Sequence, residues 1–142
     1  VALRDATNTI AATTFSGRAT EANYADLAEI YKTDKEYPVG TVVSIGGDAE
    51  ARAVETGEPI LGVISDNPGF LMNKDAEGQA VAFVGRVPVL VKGAITKGER
   101  VYANCGGFGT TDANGEQIGF ALESNSEEST KLVEVVLRLV NN

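Results

Sequence analysis

The chain contains two copies of one β-strand pattern, and this repeat limits the possible fold more than any other feature. The phrase PVGTVV at 38–43 returns as TKGERV at 96–101, and ILGVISDN at 60–67 returns as QIGFALESN at 117–125. The glycines of the two phrases stand 22 positions apart in the first copy and 21 in the second. Because a repeating β unit cannot bury its apolar face alone, we predict that the two copies pack on each other.

A long apolar strand follows the second phrase of each copy. Residues 79–91 carry apolar side chains at every second position, and residues 131–140 are almost continuously apolar. Short strands separated by glycine-rich turns are typical of a sandwich or small barrel. We therefore predict an all-β body over residues 37–142, a small β-barrel or sandwich with internal duplication.

Residues 1–36 differ from this body and are predicted to form an extended arm and linker that serves oligomerisation. Half of their apolar residues are alanines, so there are too few large apolar side chains to build a core. Apolar residues recur at helical spacing near the end of this segment, which predicts a short helix over 21–31 capped by Thr20. An irregular extended segment is the alternative. The arm is either a flexible tail or a segment that folds only against other copies of itself.

Composition excludes several classes of function. The chain has no histidine, which removes the commonest general base and metal ligand, and its one cysteine, Cys105, cannot form an internal disulfide. Acidic residues outnumber basic ones by 20 to 12, a formal charge of −8 that disfavours binding to nucleic acid. No apolar run approaches the roughly 20 residues that span a bilayer. We predict no nucleic-acid partner and no membrane insertion.

Residue patterns predict no catalytic, cofactor-binding or metal site. The glycine-rich stretch at 106–109 is interpreted as a hairpin loop, since no phosphate-binding lysine or helix follows it. Cys105, which precedes it, has no basic neighbour that would activate the thiol. Asp26 and Glu29 would share one face of the predicted helix, where crowded carboxylates can hold a proton between them. A solvated acidic face is the simpler interpretation of this pair.

Several phrases in this sequence resemble the C-terminal domain of bacteriophage tail fibres and neck or tail appendages. They are YADLAEIY at 24–31, then PVGTVV, then the phrase ILGVISDNP that ends at Pro68, then GRVPV at 85–89. The phrases RDATN at 4–8 and FSGRAT at 15–20 resemble segments of phage fibre shafts. The resemblance implies a virion protein with a β-rich body.

The resemblance also implies a specific cleavage. Part of this family is autoproteolytic: the domain acts as an assembly chaperone and is cut just before the aspartate of its D-x-A-E motif. That aspartate and glutamate correspond to Asp26 and Glu29, so the bond would be Ala25–Asp26. Cleaved members favour serine before the cut, and this chain has Ala25. We therefore expect a retained fold without enzymatic activity.

The second copy, residues 98–140, also resembles small phage capsid decoration proteins. Our prediction is a structural protein of a bacteriophage virion, a fibre or appendage domain that forms a homotrimer; the trimer is implied by the resemblance alone. Capsid decoration and an autoproteolytic assembly chaperone are the alternatives. The expected partners are other copies of the chain, other virion proteins and a host surface receptor touched by loops at 70–75 and 106–112. The expected location is the virion, assembled in the host cytoplasm.

Overall fold

A computed structural model describes residues 4–138 and confirms the predicted all-β class. These residues contain ten β-strands and no helix. The strands are β1 (Asp26–Tyr31), β2 (Val42–Ile45), β3 (Ala51–Ala53), β4 (Ile60–Ile64), β5 (Phe70–Met72), β6 (Gln79–Val91), β7 (Arg100–Asn104), β8 (Phe108–Thr110), β9 (Gln117–Ala121) and β10 (Lys131–Leu137).

Five strands of the second half form a closed barrel. The second half of β6 pairs with β10, β10 with β9, β9 with β7 and β7 with β8. The barrel closes where β8 returns to β6 at the pair Gly109–Val91. Alternate side chains of these strands fill the interior, as the period-two pattern predicts. The fully buried ones include Val87, Val89, Val91, Val101, Ile118, Val133 and Val135.

The strands of the first half attach to the other end of β6. This end of β6 lies between β4 and β1; β4 continues to β2, and β2 to β3. An isolated bridge between Thr33 and Ala51 then joins the chain after β1 to β3. Successive residues of β4 belong to different cores, Val63 to the larger and Ile64 to the smaller. This strand is therefore buried on both faces, which explains its continuous apolar sequence.

The predicted duplication is confirmed by strand pairing and register. In the first copy β2 pairs with β3 and β4; in the second, β7 pairs with β8 and β9. Val43 pairs with Gly62 and Val101 with Gly119, and the register shifts after each valine. A Cβ at Gly62 or Gly119 would lie 2.2 or 2.0 Å from a carbonyl oxygen of the adjacent strand. Both copies therefore use glycine for the same close approach of backbones.

The predicted helix over 21–31 is wrong, and the irregular extended alternative holds only for residues 21–25. Residues 26–31 form β1, which pairs with β6 on one side and with β5 on the other. Pairing with strands far along the chain outweighs the helical spacing of its alanines. Within the segment assigned to the arm, β1 therefore belongs to the sheet, while residues 4–25 contain no strand and are all exposed.

Two further observations concern the last strand and the single cysteine of the second copy. The last strand was expected to reach Val140; β10 ends at Leu137, and Leu139 and Val140 lie outside the described residues. Cys105 is exposed in the turn between β7 and β8.

Candidate functional site

A cavity of about 300 Å³ lies where β1 begins, and residues from three of the phrases that resemble the phage family line it. The phrases come together because β1 and β4 both pair with β6. The residues that follow β4 then contact the start of β1 at Asp26. The first phrase contributes Tyr24, Ala25 and Asp26; the second Ser65, Asp66 and Asn67; the third Arg86 and Pro88; Asn23 and Glu134 complete the lining. Segments about 40 and 60 residues from Asp26 in sequence thus converge on one point.

Asp26 is the least exposed of the residues that line this cavity. The residue is 7% exposed, although it carries a carboxyl group. The Ser65 hydroxyl donates a hydrogen bond to Asp26 Oδ2 over 2.7 Å, and the backbone N–H of Gly69 donates to Oδ1 over 3.2 Å. Buried carboxylates need such donors to offset the loss of water. The two bonds hold the carboxylate beside the Ala25–Asp26 peptide.

Two glycines hold the backbone of this peptide in place. A Cβ on Gly85 would lie 2.0 Å from the carbonyl oxygen of Ala25, and one on Gly69 would lie 2.4 Å from that of Tyr24. Gly85 also has a φ of +106°, a conformation that other residues rarely adopt. The Gly69 N–H donates to the backbone carbonyl of Asp26 over 2.8 Å. The Ala25–Asp26 bond therefore lies in a fixed position between two backbones.

Glu29 does not share this site with Asp26, contrary to the interpretation of the pair as neighbours on a helix. Side chains alternate along a strand, so residues three apart point to opposite faces. Glu29 Oε2 instead accepts a hydrogen bond from the Tyr31 hydroxyl over 2.8 Å. That bond to a carboxylate, together with partial burial, raises the pKa of Tyr31 above its ordinary value.

Sequence patterns did not identify the other polar groups of the cavity. Ser65 and Arg86 stand inside the family phrases, but the phrases alone do not indicate that they lie near Asp26. Glu134 belongs to β10 and pairs with Pro88 of β6, so only the pairing of the two long strands brings it here. Its Oε2 is buried and finds no hydrogen-bond partner among residues 4–138. No sequence signal distinguishes Glu134 from a surface glutamate.

The chemistry of this arrangement is that of a hydroxyl paired with a carboxylate. A carboxylate that accepts a proton from a hydroxyl or a water can activate it as a nucleophile. Within residues 4–138, no cluster of three or more histidine, cysteine, aspartate or glutamate side chains is placed to bind a metal ion. No helix in this part of the chain is long and apolar enough to cross a bilayer.

Comparison with protein families gives one match, which includes this site. Residues 3–79 match the family described as Peptidase_G2, IMC autoproteolytic cleavage domain. The match covers more than half of the chain, including Asp26 and Ser65. The chain belongs to this family. The resemblance to a phage appendage family with autoproteolytic members is therefore confirmed. No curated protein matches the sequence.

Solved structures share the fold of this autoproteolytic-domain protein. The pre-mature form of bacteriophage phi29 gene product 12 superposes with a TM-score of 0.66 at 17% identity, over 92% of this chain and 23% of that one. The C-terminal fragment of the same gene product superposes with a TM-score of 0.62 at 17% identity, over 80% of this chain and 100% of the fragment. The chain thus spans about a quarter of the pre-mature protein.

Replacing Ser65 by alanine tests whether its hydroxyl stabilises the buried carboxylate. The change leaves Asp26 Oδ2 without its donor where water has little access, so we expect the free energy of unfolding to fall by about 1–3 kcal/mol. Ser129→Ala is the matched control, since Ser129 is exposed, and should change stability by less than about 0.5 kcal/mol. Urea denaturation measures both. Equal stability of the two variants would show that the bond contributes nothing.

Proposed function

We propose that this chain is a structural domain of a bacteriophage tail appendage and that its N-terminal arm joins copies of the chain. The observation that carries this proposal is the exposure of the arm: every residue from 4 to 25 is exposed, whereas the buried core runs from Ala28 to Leu137. Membership of the autoproteolytic cleavage family and the fold shared with phi29 gene product 12 support the appendage. The expected location is the virion.

The apolar side chains of the arm provide the physical reason for self-association. Ile10, Phe15 and Tyr24 are 55%, 77% and 57% exposed, which leaves substantial apolar area in contact with water. Burying one such side chain stabilises a contact by about 1.5–3 kcal/mol. The arm makes no core of its own, so a neighbouring copy is the natural source of a covering surface. The number of copies, three, rests on the family resemblance.

Deleting residues 1–19 tests this role of the arm. The core lies entirely in the retained residues, so we expect the body to keep its cooperative thermal unfolding. Because the deletion removes Ile10 and Phe15, we expect the self-associated species to give way to monomer at the same concentration. Sedimentation velocity measures the mass of the particle, and circular dichroism checks the fold. A truncated chain that remains as fully assembled as the intact one would assign the arm another role.

Self-cleavage at Ala25–Asp26 is a second candidate function, favoured by the enclosed Asp26–Ser65 pair. Hydrolysis would consume one water and leave a carboxyl group on Ala25 and an amino group on Asp26. Asp26 would accept a proton from the attacking water as the water oxygen bonds to the Ala25 carbonyl carbon, and the proton would pass to the Asp26 amide nitrogen as the C–N bond breaks.

Intact mass spectrometry after prolonged incubation tests self-cleavage. If the domain cleaves itself, the 14.8 kDa chain should yield a body that begins at Asp26, and Asp26→Asn should prevent this. Glu29→Gln is the matched control, because Glu29 contacts Tyr31 rather than the cavity, and should leave the cleavage rate within about twofold. A single uncut species in the wild-type chain would contradict this function and leave the structural role intact.

Contacts with other virion proteins and with a host receptor follow from the appendage role and remain predictions. Of the two loops expected to touch a receptor, residues 70–72 form β5, with Phe70 exposed, and residues 108–110 form β8 of the barrel wall. Capsid decoration also stays a prediction, since none of the comparisons bears on it.

A further inference from the structure

We propose that the arm of one copy packs on a neighbouring copy across Leu27, Phe70 and Val84, which we call the apolar row. This inference rests on the proposed self-association and names the surface that receives the arm. The three residues belong to three adjacent strands, β5, β1 and β6. Leu27 pairs with Phe70 on one side and with Val84 on the other, so their side chains lie in one line across the sheet.

The apolar row lies on an outer part of the sheet where the described chain leaves its two end residues exposed. Phe70 is 63% exposed and Val84 is 49% exposed, and both are among the few large apolar side chains of the body that face water. The neighbouring residues Ala28 and Leu71 point the other way and pack in the larger core. Leu27 between them is half-buried, so the row presents two exposed apolar side chains on either side of a partly covered one. Adjacent exposed apolar residues across a sheet are typical of a contact surface.

The described chain leaves this row uncovered even by its own arm. Residues 4–25 are exposed throughout, although the arm joins the sheet at Asp26, next to Leu27. Among the described residues, β5 pairs with β1 alone, so one edge of this part of the sheet is also open. An incoming extended segment can therefore pack across the row and lie along the β5 edge.

The distribution of charge along the chain favours an arm, rather than a second body, as the segment that covers the apolar row. Residues 1–25 contain two basic residues, Arg4 and Arg18, and two acidic residues, Asp5 and Glu21, so they carry no net charge. The whole formal charge of −8 therefore belongs to residues 26–142. Two bodies repel each other, whereas a neutral arm approaches an acidic body without this repulsion.

The arm also has the reach and the side chains to fill the row. Phe15 stands ten positions before Ala25, and an extended chain of that length spans about 30 Å, enough to cross to a neighbouring molecule. Phe15 is 77% exposed, the highest value among the exposed large apolar residues of the described chain. A bulky ring on a neutral segment and an apolar row on a charged body are complementary surfaces.

Charge substitutions in the full-length chain test this contact. We expect Phe70→Glu, Val84→Glu and, in the arm, Phe15→Glu each to raise the apparent dissociation constant of self-association at least about tenfold. Val84→Gln should act in the same direction, which separates lost apolar contact from added charge. Ile45→Glu is the matched control: Ile45 is 69% exposed on β2, away from the row. Sedimentation equilibrium measures assembly, and thermal unfolding confirms that each variant folds.

A double variant, together with the set of single variants that lose self-association, shows which segment packs on the apolar row. If Phe15 and the row contact each other, Phe15→Glu combined with Val84→Glu should be little worse than either alone. Loss of assembly in the row variants but not in Phe15→Glu would mean that bodies meet through the row, which overturns the arm as occupant. Loss of self-association only in Phe15→Glu would show that the arm packs elsewhere than on the apolar row, while the arm's role in self-association would stand. Assembly that survives deletion of residues 1–19 would overturn the proposed function itself.

Discussion

The fold depends on one strand, β6, which serves both copies of the repeat. Its first half lies between β1 and β4, and its second half pairs with β10 and closes the barrel through β8. Buried backbone N–H and C=O groups need partners, and β6 supplies them to strands from both ends of the chain. The partner strand changes at Gly85, which pairs with Asp26 and with Leu137. Loss of pairing along β6 would therefore disrupt both cores together.

The candidate site is a consequence of this shared strand. Both β1 and β10 pair with β6 at Gly85, which brings the start of β1 close to β10. Asp26, Ser65 and Glu134 therefore line one cavity. The same junction is where the exposed arm meets the folded body. A cut at Ala25–Asp26 would therefore separate the neutral arm from the acidic body without breaking any described strand. The proposed structural role and the proposed self-cleavage thus meet at one peptide bond.

Much of the body could be predicted from sequence because its signals are local. Alternating valines and the spaced glycines indicated the duplicated strands, and the structure repeats their register at Gly62 and Gly119. The prediction of a helix over 21–31 was wrong because the spacing of its alanines is compatible with a helix as well as with a strand. The strands that pair with β1 lie far along the chain, so the local sequence does not reveal them. Ser65 stood inside a family phrase, but its bond to Asp26 is a tertiary contact. Glu134 carried no signal at all.

The central claim is that the arm becomes ordered on another copy of the chain while the body is folded by itself. Hydrogen exchange of the intact chain, followed by mass spectrometry at low and high protein concentration, tests this claim most directly. The account predicts that amides of residues 4–25 exchange freely in dilute solution and become protected as the chain associates, whereas amides of β6 are protected at both concentrations. Free exchange of the arm in a fully associated sample would contradict it.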